Sequence, residues 1–256
     1  MEKKKIYFIS DVHLGLPNQE ESLKRERQLV DWLDTILPET KALYLLGDIF
    51  DFWYEYKYVV PKGYVRFLAK IAEFTDSGIP VYFFTGNHDI WAFDYFEKEI
   101  GMTIIREPQT ITISNKIFHL AHGDGLGPAD TGFKLLKWLF TNKTAQFFFS
   151  RLHPNFALWL GNSWSRKHRY DLELDDMGFQ GMENEWLVQY AKEMLKTEKI
   201  DYFLFGHRHI AVHLKIENAQ FINLGDWISN FSFAVFDGKE LSLQRANGEL
   251  IPILTE

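Results

Sequence analysis

Five short segments of this chain concentrate side chains able to hold metal ions or move protons. They are Asp11-Val12-His13, Gly47-Asp48-Ile49-Phe50-Asp51, Gly86-Asn87-His88-Asp89, His122-Gly123-Asp124 and Gly206-His207-Arg208-His209. Most include a glycine, which lets a tight turn pass close to a bound group. Any one segment would pass as turn chemistry, because Asp, Asn and Gly are common turn residues. Five of them, each directly after an apolar run, are much harder to explain that way. Carboxylate, imidazole and amide oxygen without thiolate make a donor set for Mn2+, Fe or Zn2+ rather than for a soft ion. One bridging Asp would hold two such ions about 3.5–4 Å apart, the spacing used for displacement at phosphorus. Two divalent ions set against two ligating carboxylates leave net positive charge, which suits an anionic phosphate ester.

The elements that must present these residues follow from periodicity. Lys5 to Ser10, Ala42 to Leu46 and Pro80 to Thr85 are short, apolar and bounded by turn residues, which predicts buried strands. Between them, Glu20 to Ile36 and Tyr64 to Phe74 carry apolar residues at helical spacing, as does Glu183 to Lys196 later in the chain. Strand, helix, strand, helix, strand predicts parallel pairing, with ligands at the carboxyl ends of the strands. Further strands are expected at Ile111 to Ser114, Ile117 to Ala121, Tyr202 to Phe205, Val212 to Ile216, Phe221 to Leu224 and Phe233 to Phe236. Their close spacing predicts hairpins, and hence a mixed sheet or two packed sheets.

Composition bounds the rest. The chain has 256 residues, no cysteine and a net charge of −7. Disulfides, Cys-type zinc sites and thiol nucleophiles are thereby excluded, and a general nucleic-acid coat role is disfavoured. The apolar run Ile6 to Ile9 is too short for a secretory signal, and no apolar stretch reaches membrane-spanning length, so a cytoplasmic protein is expected. Residues 131–170 differ from the remainder, with seven basic residues, no acidic one and ten aromatics. Such a shift marks an inserted helical cap, leaving 1–130 and 171–256 as the core. Ten aromatics exceed what a small helical hairpin buries alone, so they either dock on the core or line an apolar pocket.

In their order, the five blocks resemble those of the calcineurin-like metallophosphoesterases over nearly the whole chain. That resemblance implies a two-sheet αββα sandwich of the α/β (α+β) class. It also implies one ion held by Asp11, His13, Asp48 and His209, and a second held by Asp48, Asn87, His122 and His207. A closer resemblance is to the UDP-2,3-diacylglucosamine pyrophosphatases of lipid A synthesis. It rests on Asp11-Val12-His13-Leu14, Gly47-Asp48-Ile49-Phe50-Asp51-Phe52-Trp53, His122-Gly123-Asp124-Gly125-Leu126 with Asp130, the apolar insertion, and Leu224-Gly225-Asp226-Trp227. Members cleave the pyrophosphate to UMP and an acylated sugar phosphate, using two divalent ions, here expected to be Mn2+ with Fe or Zn as alternatives. The chain departs from the best-known members at His88, where they carry Arg, and at Arg208, where Thr is usual.

The resemblance makes Asn87, His88 and Asp130 expected substrate contacts, and the basic Arg166, Lys167 and Arg169 of the cap are added to them. His88 is expected to act as a cation or proton donor, with Asp51 or Asp89 holding its other ring nitrogen. His119, on the strand before His122, is expected to be a packed or edge histidine; His153, His168 and His213 fit no metal spacing, and Asp226 either approaches the ions or caps a turn. Expected partners are a nucleotide-linked acylated sugar and an anionic membrane surface, which the chain would meet peripherally on the cytoplasmic side; nucleic acid is not expected. Two other readings stay open, a different phosphodiesterase of the same fold and a non-catalytic scaffold.

Overall fold

The structure, a computed structural model, is described for residues 4–127, 137–175 and 178–255, and for 166–175 as backbone only. Asp130 therefore lies outside the described residues, as do the side chains of Arg166, Lys167, His168 and Arg169.

Strand β1 (Lys5–Ile9) leads into helix α1 (Gln19–Ile36), strand β2 (Thr40–Leu46), helix α2 (Val65–Asp76) and strand β3 (Val81–Phe84). β1, β2 and β3 pair in parallel, as the crossover order predicts. Helix α1 starts where the Asn18 side chain accepts from the Glu21 amide, with Glu20 and Glu21 facing the helix dipole. Two short elements follow that sequence periodicity does not reveal, α3 (Tyr95–Ile100) and β4 (Thr103–Ile105). Six helical and three extended residues are too few to display a period.

The second half supplies β5 (Gln109–Ile113), β6 (Lys116–Leu120), β7 (Tyr202–Phe205), β8 (Ala211–Ile216), β9 (Ala219–Leu224), β10 (Ser232–Phe236), β11 (Leu241–Arg245), β12 (Leu250–Ile251) and β13 (Ile253–Leu254). The expected hairpins are β5–β6 and β8–β9, both antiparallel. One sheet runs β12-β11-β10-β1-β2-β3-β4 and the other β13-β8-β9-β7-β6-β5. Alternation along each strand sorts side chains between layers. Ile6, Phe8, Tyr44 and Leu46 meet Phe118, Leu120, Leu204 and Ile222 between the sheets. Tyr7, Ile9, Leu43 and Phe83 pack outward on Leu33, Phe67 and Phe74 of α1 and α2. On the opposite outer face, Phe203, Phe205 and Phe221 meet Leu187, Val188 and Ala191 of a helix spanning Trp186–Leu195. The result is a two-sheet sandwich with helices outside, the expected mixed α/β architecture.

Within the basic, aromatic segment lie α4 (Lys143–Phe149) and α5 (Pro154–Asp175); the helix Trp186–Leu195 is α6. α5 runs unbroken past residue 170 into the acidic stretch, so the change in composition falls inside a helix. Phe140 and Phe149 dock on Phe52, Tyr54 and Trp91 of the core. Trp138, Phe148 and Trp159 are instead 61, 67 and 61% exposed. The cap aromatics thus divide between docking and an outward face.

Candidate metal centre

The strands β1, β2, β3, β6 and β7 end in the five polar blocks, and their side chains converge. Asp11, His13, Asp48 and Asn87 are buried, as are His88 and His122. Asp11, His13, Asp48, His207 and His209 all have left-handed backbone, with φ from 47 to 68°. A non-glycine residue adopts that conformation at a cost, and such strain collects at functional sites. Glycine would relieve it and remove the donor atom. The neighbouring glycines have the opposite task. A Cβ on Gly86 would overlap the Asp48 carboxylate, and one on Gly206 the Asp11 carboxylate.

Two groups of donor atoms meet at Asp48. In the first, His209 Nε2 is 3.3 Å from both Asp11 Oδ1 and His13 Nε2. His13 Nε2 is 3.7 Å from Asp11 Oδ1 and 3.8 Å from Asp48 Oδ2. In the second, His122 Nε2 is 3.2 Å from Asp48 Oδ2 and 3.3 Å from Asn87 Oδ1, with His207 close to the same carboxylate. Asp48 Oδ2 therefore faces both groups, while its Oδ1 accepts the His88 amide at 2.9 Å.

The donor chemistry fits divalent cations. His122 Nδ1 lies 2.8 Å from the Leu46 carbonyl, which accepts only if Nδ1 carries the hydrogen. Its Nε2 then points at two further acceptors. His13 and His209 also turn their Nε2 atoms to each other at 3.3 Å, with Asp51 3.5 Å from the His13 Nδ1 and Asp226 3.7 Å from the His209 Nδ1. Acceptors facing acceptors at 3.2–3.8 Å repel unless a cation sits among them. Ligands about 2.1 Å from a metal are separated by about this much along a polyhedron edge.

The field agrees. Burial opposes charge on His122, yet Asp48 and then Asp11 and Asp124 raise its proton affinity well above the usual histidine range. Burial also pushes the Asp11 carboxyl up. For Asp48 burial is outweighed by His122 and His88, and the carboxyl falls well below the usual range. Desolvation and the neighbouring His122 hold His207 neutral. This is an environment with carboxylate charge and too little to balance it.

Around the donors stand residues that hold them. Asp226 accepts amides from Ile228, Ser229 and Asn230 at 2.7–3.0 Å and presents its second oxygen to His209, so it both caps a turn and backs a donor. Asp89 turns away from the centre, accepting the Gly86 amide at 2.7 Å and the Ile49 amide at 2.9 Å. It does not hold His88, contrary to one expected arrangement. His88 Nδ1 is instead 2.8 Å from the Asp51 main-chain carbonyl and 3.1 Å from the Ser165 hydroxyl of α5. The nearby Arg25, buried on α1, donates to the carbonyls of Val12, His13 and Leu16 and fixes the first loop. Arg208 is engaged by Glu185 through two 3.1 Å bonds and lies over the Trp186 ring. It braces the last block from outside. Sequence reading missed Ser165, Glu185 and Arg25, because nothing local marks a distant serine, glutamate or arginine as a partner of these loops.

Three further described histidines take structural places. His119 is buried between Thr110 and Tyr190, and His213 bonds Gln220. His153 caps the Asn155 amide. In the aromatic run after the second block, Phe50 and Trp53 join the core, Phe52 and Tyr54 lie under the cap, and Tyr58 is 85% exposed.

The profile of the calcineurin-like phosphoesterase family matches residues 4–211. The chain is 39% identical over 255 residues to the UDP-2,3-diacylglucosamine hydrolase of Porphyromonas gingivalis, covering 94% of this chain and 97% of that protein. It is 28% identical to the Haemophilus influenzae protein of the same name, covering 88% of this chain and 92% of the relative. Among solved structures, a phosphoesterase from E. coli, Yfce, is 15% identical with a TM-score of 0.49, covering 97% of each chain.

Proposed function

The chain belongs to the calcineurin-like phosphoesterase family and is a metal-dependent hydrolase, and on that footing we propose that it cleaves the pyrophosphate of UDP-2,3-diacylglucosamine to UMP and 2,3-diacylglucosamine 1-phosphate. The observation that carries this reading is the convergence of oxygen and nitrogen donors on the two sides of Asp48 Oδ2. Asp11, His13, Asp48 and His209 would hold one divalent ion, and Asp48, Asn87, His122 and His207 the other. We assign Mn2+ first, since the donors are hard or borderline and include no thiolate. Bound ions supply Lewis acidity toward the phosphoryl oxygens and a nucleophilic water at neutral pH.

The chain's own groups do the positioning. Asp51 faces the His13 Nδ1 edge and Asp226 that of His209, which aims both Nε2 atoms inward. His88 carries its hydrogen on Nδ1, held by the Asp51 carbonyl, so its Nε2 edge faces the centre 3.9 Å from Asp48 Oδ2. A sugar phosphate leaves as a stable anion and needs little help from a proton donor. His88 therefore serves mainly as a positive neighbour for the phosphate, at the position where the best-known members carry Arg.

The lipid part of the substrate fits the cap. Its exposed Trp138, Phe148 and Trp159 stand with Lys143 and Arg151 on a segment without acidic residues from 131 to 170. No described helix is long and apolar enough to cross a membrane. We place the protein at the cytoplasmic face of an anionic membrane, bound peripherally through this face, with Asp130, Arg166, Lys167 and Arg169 as substrate contacts. The test is release of UMP from UDP-2,3-diacylglucosamine, compared with cleavage of bis(p-nitrophenyl) phosphate, before and after chelation and return of Mn2+. Turnover of the lipid nucleotide that chelator abolishes and Mn2+ restores is expected. Cleavage of the simple diester alone would overturn the substrate assignment.

A further inference from the structure

We infer that Ser165 of the cap helix α5 is a positioning residue for His88, so that the catalytic constellation is complete only when the cap is seated on the core. The inference rests on the phosphoesterase reading above and is independent of which ester is cleaved.

Ser165 is fully buried, and its hydroxyl touches two groups of the centre from a segment that contributes none of the metal donors. It donates to Asp51 Oδ1 at 2.9 Å and lies 3.1 Å from His88 Nδ1. The Asp51 carbonyl, 2.8 Å away, requires the hydrogen on that same nitrogen. The imidazole N–H thus faces two acceptors, and the hydroxyl passes the interaction on to a carboxylate. A chain of this form orients the ring and sets its tautomer. Asp51 Oδ1 also faces His13 Nδ1 at 3.5 Å, so one carboxylate oxygen serves the cap, the loop after β1 and His88 together.

The helix is placed for this contact one turn earlier. Gly161 lies flat against the Phe52 ring, where a Cβ would overlap the ring atoms. Phe52 follows Asp51 directly in the second block, so the helix contacts two consecutive residues of one loop. The cap is tied on further by the Trp91 indole to the Phe140 carbonyl at 2.8 Å and by Lys137 to Asp124 at 2.9 Å. These anchors reach the third and fourth blocks. A chain without its cap would therefore lose a contact to His88 as well as an apolar surface.

The experiment is a double-mutant cycle of Ser165→Ala and His88→Ala in the full chain loaded with Mn2+, run on bis(p-nitrophenyl) phosphate and on UDP-2,3-diacylglucosamine. With His88 present, Ser165→Ala is expected to lower kcat about tenfold, the value of one positioning hydrogen bond, at unchanged KM and metal content. In the His88→Ala background the same change is expected to have no further effect. A structural role would instead give the same loss in both backgrounds, with metal content falling. That result, or an unchanged kcat in the single variant, overturns the inference. If only the simple diester is cleaved, the substrate assignment fails while the cycle still decides the role of Ser165.

Discussion

Asp89 offers a sharp quantitative test, because replacing it by asparagine should be about as damaging as replacing it by alanine. Its side chain is fully buried, and each carboxylate oxygen accepts a backbone N–H from a different ligand-bearing loop. Oδ1 takes Gly86 at 2.7 Å and Oδ2 takes Ile49 at 2.9 Å, with Phe50 more distant at 3.5 Å. An asparagine can satisfy one of these amides, but whichever way it is turned its NH2 faces the other. Hydrogen bonds to a charged group contribute about 1.5–3 kcal/mol each, and a buried amide left unpaired costs about 1–3 kcal/mol. Alanine should therefore lose about 3–5 kcal/mol, and asparagine nearly as much, since its one retained bond is offset by opposed N–H groups. For a chain of this size that is a fall in Tm of roughly 10 °C. Burial and the Asp48 charge push the Asp89 carboxyl up to about 7, a cost of ionisation that offsets part of this loss, and urea unfolding is followed at pH 8, where both oxygens are ionised acceptors. A chelator keeps metal binding out of the comparison. An asparagine variant within about 1 kcal/mol of the parent would refute the argument that both oxygens are needed. Activity should fall with stability, because the two loops carry Asp48 and Asn87.

Asp48→Asn should reduce metal content toward one or zero ions per chain by elemental analysis, with hydrolysis lost, since Oδ2 faces both donor groups; two retained ions and near-normal turnover would contradict the bridging role. His88→Arg should keep more kcat than His88→Ala, with metal content unchanged in both; equal losses would favour proton donation over a positive neighbour. His119 gives a pH test, because burial lowers its pKa from 6.5 to about 4. With the folded value depressed, the unfolded chain takes the proton first, so stability present at neutral pH is lost as pH falls from 6.5 toward 4. Linkage gives about 2 kcal/mol between pH 7 and pH 5. His119→Gln should remove that part of the pH dependence in urea unfolding of the chelated protein, and an identical pH profile in parent and variant would exclude it.

The sequence by itself determined the parallel strands and their crossover helices, and with them the five blocks at the strand ends. Apolar runs bounded by turn residues and helical spacing need only neighbouring residues, and β1, α1, β2, α2 and β3 show them. The donors were legible because five blocks bearing Asp, Asn and His, each after an apolar strand, exceed what turn chemistry explains. Short elements such as α3, β4, β12 and β13 gave no such signal, being held by tertiary pairing rather than by their own pattern. The partners of the donors were legible only in the fold. Asp89 and Asp226 stand inside recognisable motifs, yet their direction is decided by which backbone amides the folded loops leave open. Sequence chemistry allowed Asp89 to hold His88, and the three-dimensional packing gave that place to the Asp51 carbonyl and to Ser165, 77 residues away along the chain. A hydroxyl carries no mark of its partner in a linear sequence. The approach of α5 to the loop after β2, with Gly161 against the Phe52 ring, is what brings Ser165 to Asp51 and His88.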